Sequence, residues 1–98
     1  MNIVKNLDGD KLTIALEGRL DTTTAPEFEA VLKEELPNAQ SVVLDFEKLE
    51  YISSAGLRVL LTAQKEMVKK DGMVIKNVCP EILEVFEITG FSDILTVE

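Results

Sequence analysis

Two adjacent serines, Ser53 and Ser54, stand between an apolar strand-like segment and the start of an amphipathic run, in the stretch Tyr51-Ile52-Ser53-Ser54-Ala55-Gly56-Leu57. Hydroxyls at a strand-to-helix junction have three kinds of chemistry open to them. A serine oxygen caps the helix by accepting from a free N–H of its first turn. Displayed on a loop beside the helix N-terminus, a serine also makes a good phosphate acceptor, because the macrodipole and the unpaired N–H groups stabilise the dianion. Nucleophilic attack, the third, needs a base to take the proton. The chain has no histidine, and the glycine flanks of a hydrolase elbow are missing. Only a lysine base remains, and nothing in the sequence supports one. The stretch therefore reads as non-enzymatic. Ser53 or Ser54 caps the helix, and phosphate acceptance stays open beside that structural role.

The same composition closes other classes. Without histidine there is no phosphohistidine chemistry and no His-ligated metal site, and the one cysteine, Cys79, allows neither a thiolate cluster nor an internal disulfide. No basic residue flanks Cys79, so it reads as a small half-buried residue before Pro80, not a reactive thiol. Neither a metal nor a cofactor is expected. A single thiol, no apolar signal segment in Met1 to Lys11 and no run near the ~20 residues that span a bilayer together predict a cytoplasmic protein. With 18 acidic and 10 basic residues the net charge is −8. Such a surface repels nucleic acid and anionic lipid, and it favours a protein partner with a basic patch.

The elements that must position the serines follow from periodicity. The 98 residues suit one domain, 1–98, with enough apolar content (46%) for a core without staples. Leu12, Ile14 and Leu16 alternate with polar or small residues over Lys11 to Glu17, the pattern of a half-buried strand. Asp8-Gly9-Asp10 turns it back on Ile3, Val4 and Leu7, which predicts a hairpin. Thr24-Ala25-Pro26-Glu27 matches a capping box with proline in the first turn, opening a helix that carries Phe28, Val31, Leu32 and Leu36 and stops at Pro37. Val42-Val43-Leu44 is continuous, as in a strand covered on both faces. That strand is expected to end near Asp45 and lead by a short loop into a helix from Ala55 to Lys70, with Leu57, Leu60, Leu61 and Val68 on its apolar face. Met73 to Val78 is the next strand. Pro80 opens a third helix bearing Ile82, Val85 and Phe86, Gly90 ends it, and Ile94 to Val97 adds a short strand. Strands alternating with helices make this an α/β chain: a mixed, mostly parallel sheet of four to five strands, flanked by helices on one main face. Sites on such sheets lie outside the carboxyl ends of the strands, where both serines fall.

The block from Asp45 to Leu60, centred on Tyr51 to Leu57, resembles the signature of the anti-sigma factor antagonists among the STAS domains, a family shared with sulfate transporters. Gly18-Arg19-Leu20-Asp21 followed by Ala25-Pro26 resembles the family's second landmark, and Ser92 lies in a loop after Phe86 and Gly90 as family members have it. The likeness covers essentially the whole chain. It implies a STAS fold and a non-enzymatic binding module. The unphosphorylated form binds an anti-sigma factor that is itself a serine kinase, and so releases a sigma factor. Phosphate on Ser54 turns it off, and a PP2C-type phosphatase restores it. Asp21 falls on the loop aspartate near the acceptor. Ser53 departs from the aspartate often found there in sporulation members, which leaves a second hydroxyl beside Ser54.

The resemblance thus puts Asp21, Ser53, Ser54, Gly56 and Arg58 on the partner-binding surface of a monomer. Plainer roles stand beside these. Asp21 equally caps or orders its loop, Arg58 is otherwise a solvated helical arginine, and Gly56 permits close approach at the helix start. Asp45 reads as a strand-end residue bonded to the following loop, and Tyr51 and Ile52 as anchors of that loop to the core. Two other STAS roles compete. One is an unphosphorylated subunit of a lipid-transport or stress-sensing assembly. The other is the cytosolic tail of an anion transporter, which the lack of a membrane segment disfavours.

Overall fold

The hairpin expected from Asp8-Gly9-Asp10 opens the chain: β1 (Asn2–Asp8) and β2 (Lys11–Leu20) pair antiparallel, Asp8 opposite Lys11. In the computed structural model, which describes residues 1–98, α1 (Ala25–Glu35), β3 (Ser41–Ile52), α2 (Ser54–Met67), β4 (Met73–Lys76), α3 (Pro80–Thr89) and β5 (Thr96–Val97) follow. Single 3-10 turns at Leu36–Asn38 and Phe91–Asp93 complete it, and Ser92 falls in the second. The five strands lie in chain order, β1-β2-β3-β4-β5, and every pair after the hairpin is parallel. This is the mixed, mostly parallel sheet that the alternation of strands and helices implies.

Register explains which face is dry. Leu12, Val42 and Met73 are neighbours across three strands, as are Ile14, Leu44 and Ile75, and all six are buried. Phe28 and Leu32 of α1, Leu60 and Met67 of α2, and Ile82 and Phe86 of α3 join them in one core cluster. No polar or charged side chain is buried with them. Each such aliphatic side chain contributes about 1.5–3 kcal/mol by leaving water. The opposite face, with Thr13, Val43 and Val74 in register, is only half-buried. Val43 was expected in a strand covered on both sides. It lies instead on this open face, because all three helices pack against the other.

The largest departure from expectation is β3, which runs to Ile52 instead of ending near Asp45. The pairing with β2 slips twice: Ala15 faces Asp45 but Glu17 faces Lys48, and Gly18 faces Leu49 but Arg19 faces Tyr51. Each slip places one extra residue in β3, a β-bulge, and turns the side chains over by one position. The buried residues therefore fall at Val42, Leu44, Phe46, Leu49 and Ile52, spaced by two and then by three. Alternation fails in the second half although the strand does not. Gly18 sits at the slip with φ +107, a left-handed conformation that costs glycine little.

Two helix ends also differ. α2 stops at Met67, not Lys70, and Val68 is 68% exposed where it was expected on the apolar face. Met67, seven residues after Leu60, fills that place. The chain then folds back so that Lys70 Nζ donates to the carbonyls of Leu36 and Ala39, both at 2.8 Å. The fourth strand ends at Lys76, short of Val78, because Asn77 takes a left-handed φ of 59.

Candidate functional site

Leu20 and Ile52 are paired neighbours at the carboxyl ends of β2 and β3. Both are buried, and Ser53 N donates to Leu20 O at 2.9 Å. The loops entering α1 and α2 thus leave the sheet side by side, and residues far apart in the chain share one surface.

Ser53 is the N-cap of α2. Its extended backbone (φ −98, ψ 174) lets Oγ accept from Gly56 N, a long bond at 3.4 Å. Ser54 is the first helical residue and is exposed, and no acidic residue occupies that first turn. The two hydroxyls therefore divide the work: Ser53 faces inward on the cap, and Ser54 faces solvent beside the positive end of the helix.

Gly56 is buried directly beneath them. A Cβ there would lie 2.7 Å from Leu20 Cγ, 2.9 Å from Ile52 Cγ1 and 3.0 Å from Leu20 Cδ2. The missing side chain is what lets α2 sit down on the strand ends. Its effect on any partner is indirect, by setting the height at which Ser54 is presented.

The expected Thr24–Glu27 capping box does not form. Thr24 occupies the N-cap of α1 without a side-chain cap bond, because its hydroxyl is already engaged: it donates to Arg19 O and accepts from Asp21 N, each at 2.8 Å. Asp21 takes over the ordering of the loop. Its Oδ1 accepts from Thr23 Oγ1 at 2.7 Å, Thr23 N at 3.0 Å and Thr24 N at 3.1 Å. The Thr23 hydroxyl foremost, then the amides of Thr24 and Thr23, hold the carboxyl below the usual carboxylate range, against a desolvation effect that pulls the other way. Asp21 is thus an ionised, fixed feature of the surface.

Arg19 and Tyr51 meet across the ends of β2 and β3. The guanidinium of Arg19 lies 4.2 Å from the centre of the Tyr51 ring, and its Nε is 3.8 Å from Asp21 Oδ2. Tyr51, expected to anchor the loop to the core, is 41% exposed, and Ile52 alone does the anchoring. Both residues lie within the quoted motifs, but only the slipped register of β3 brings them face to face. Arg58, one turn into α2, is exposed. It lines an open groove of ≈ 190 Å³ between the starts of α1 and α2, with Thr22, Pro26, Glu29 and Ala55 among the other walls.

Asp45, expected at a strand end, lies inside β3 beside the first bulge and braces the next loop. It accepts from Asn77 Nδ2 and Glu47 N, both at 3.0 Å. The Asn77 amide foremost, then the Glu47 N–H, hold its carboxyl below the usual range. The half-buried Cys79 thiol points to Leu49 O at 3.8 Å. No three potential metal-ligating side chains converge anywhere in the fold, and no helix is long and apolar enough to cross a membrane.

A surface of loop carboxylate, serine cap and exposed helix-opening serine, held at the strand ends of a mixed five-stranded sheet, is the arrangement of a STAS domain. Residues 2–98 match that family, and the chain belongs to it. Among relatives, the "putative anti-sigma factor antagonist BtrV" of Bordetella bronchiseptica is 40% identical over 93 residues, covering 93% of this chain and 79% of its own. The anti-sigma-B factor antagonist of Listeria monocytogenes is 32% identical over 104 residues, covering 100% of this chain and 90% of its own. An anti-sigma factor antagonist from Mycobacterium paratuberculosis has the same fold, with a TM-score of 0.88 at 18% identity over 98% of this chain and 83% of that one. The anti-sigma factor antagonist SpoIIAA, in its unphosphorylated form, gives 0.78 at 19% identity over 99% and 87%.

Proposed function

We propose that this chain is an anti-sigma factor antagonist of the partner-switching kind. Unphosphorylated, it binds a serine-kinase anti-sigma factor and frees the sigma factor held there. Phosphate on Ser54 ends that binding, and a PP2C-type phosphatase restores it. It works in the cytoplasm as a monomer and turns nothing over by itself. The observation that carries this reading is the division of labour between the serines. Ser53 is used up as the cap, whereas Ser54 is exposed at the positive end of α2 with no acidic residue in that turn. A dianion at Ser54 meets unpaired amides and a favourable dipole, so it is accepted without unwinding the helix. Asp21, Ser53 and Arg58 border the acceptor and form the partner surface, with Gly56 setting its geometry. The net charge of −8 suits a partner with a basic face. Kinship with named antagonists favours this role over an unphosphorylated subunit of a transport or stress-sensing assembly.

The test is incubation of the purified chain with ATP and the kinase-type anti-sigma factor from its own cell, followed by mass spectrometry. One phosphate on Ser54 is expected, with none on the Ser54→Ala variant. Full phosphorylation of that variant would sink the assignment.

A further inference from the structure

The chain has ten cationic side chains but only two arginines, Arg19 and Arg58. Arg58 follows Ser54 on α2, and Arg19 lies near the end of β2, one residue before the Leu20 whose carbonyl accepts from Ser53 N. Arginine differs from lysine in presenting a rigid fork of donors that fits two phosphate oxygens at once. Arg19 is committed: it is stacked on Tyr51 and drawn to Asp21. Arg58 is not. It takes part in none of the five ion pairs of the fold, and its side chain is exposed. The nearest carboxylate sharing its groove, Glu29, is engaged with Lys33 at 3.8 Å. Arg58 also follows Ser54 by four residues, so the two lie on one face of α2 with Cβ atoms about 5–6 Å apart.

We propose that Arg58 receives the phosphate of phosphorylated Ser54, closing over the first turn of α2 to make a forked pair with its oxygens. This rests on the reading that Ser54 carries the phosphate, and it adds what the modification does next. A single event then makes two changes to the partner surface: it adds a dianion and withdraws the one uncommitted arginine. The phosphate is held by the chain itself and stays in one place over the groove.

The test uses chain in which phosphoserine is installed at position 54 during translation, so no kinase is involved. Its outcome is therefore independent of whether a kinase acts on Ser54, which the mass spectrometry above decides. The second ionisation of the phosphate is followed by phosphorus NMR in the parent and in Arg58→Gln. Phosphoserine ordinarily titrates near pH ~6. With Arg58 present the value is expected to lie lower than in Arg58→Gln by about half a unit, a roughly threefold change in proton affinity. Identical titration in the two proteins would overturn the proposal. A second measurement needs no substitution. The Arg58 Nε–H resonance is expected to move between unmodified and phosphorylated chain while that of Arg19 stays. An unmoved Arg58 signal would count against the pairing as firmly.

Discussion

Replacing Gly56 by alanine tests whether the seating of α2 on the strand ends is as tight as the geometry implies. The new methyl carbon would lie 2.7 Å from Leu20 Cγ, 2.9 Å from Ile52 Cγ1 and 3.0 Å from Leu20 Cδ2. The two shortest contacts, to Leu20 Cγ and Ile52 Cγ1, fall on atoms inside the side chains, and only Leu20 Cδ2 is a terminal methyl. Leu20 is 0% exposed and Ile52 4%, so neither has room to retreat. Overpacking of a tight site costs typically 1–3 kcal/mol, and three contacts at or below 3.0 Å place this one at about 2–3. Alanine returns about 0.8–1 kcal/mol through its better helix propensity. The net is a loss of about 1–2 kcal/mol. In a domain of this size each kcal/mol moves the midpoint by about 4–8 °C, so Tm falls by on the order of 5–15 °C. Thermal unfolding followed by circular dichroism reads this directly. An unchanged or raised Tm would mean that propensity outweighs the clash, and that the start of α2 slides freely over Leu20 and Ile52. The idea that Gly56 sets the position of Ser54 would then have to be dropped.

Ser54→Asp places a charge at the first helical residue, where the dipole favours it by about 0.3–1 kcal/mol. Its melt should stay level or rise by a few degrees, while calorimetric titration shows affinity for the kinase falling 100-fold or more, since a badly paired interfacial charge costs several kcal/mol. A large drop in Tm would mean the site acts through folding. Ser53→Ala removes a cap whose bond is long, so a loss of about 0.5–1 kcal/mol in urea unfolding is expected, and phosphorylation of Ser54 should persist. Acid should weaken the fold through Asp21 and Asp45. Both carboxyls are held below their ordinary values, so their stabilisation is complete above the unfolded value near pH 4 and is lost as pH falls through the lower folded ones. Urea midpoints from pH 7 to 3 should show Asp45→Asn less stable than the parent at neutral pH, with the gap closing in acid. A gap that stays constant would show that ionisation of Asp45 adds nothing to its contacts with Asn77 and Glu47.

The hairpin, the order of elements and the helix-opening serines were legible because each rests on local chemistry. Leu12, Ile14 and Leu16 alternate, Asp8-Gly9-Asp10 turns, and Pro80 and Gly90 bracket a helix. Glu47 to Ile52 resembles a loop in sequence for a physical reason. Two bulges space its buried residues by three, and only pairing with β2 reveals that the backbone is still extended. Thr24 misled in the same way. Its capping box is a sound local option, yet Arg19 O and Asp21 N claim the hydroxyl first. The Arg19–Tyr51 stack and the grip of Lys70 on Leu36 and Ala39 depend on distant parts of the chain meeting. Nothing in the local sequence around either residue signals them.

The bond from Ser53 N to Leu20 O has a consequence for timing. It ties the residue before Ser54 to the neighbouring strand, between the two longest strands of the sheet, so the start of α2 is anchored to the sheet itself. Under the proposed function no slow rearrangement separates the two signalling states. The polypeptide keeps no memory of having been modified beyond one ester bond and the side chains around it. The duration of the off state is then a property of the phosphatase, and the same folded molecule can pass through the cycle again as soon as that bond is cut.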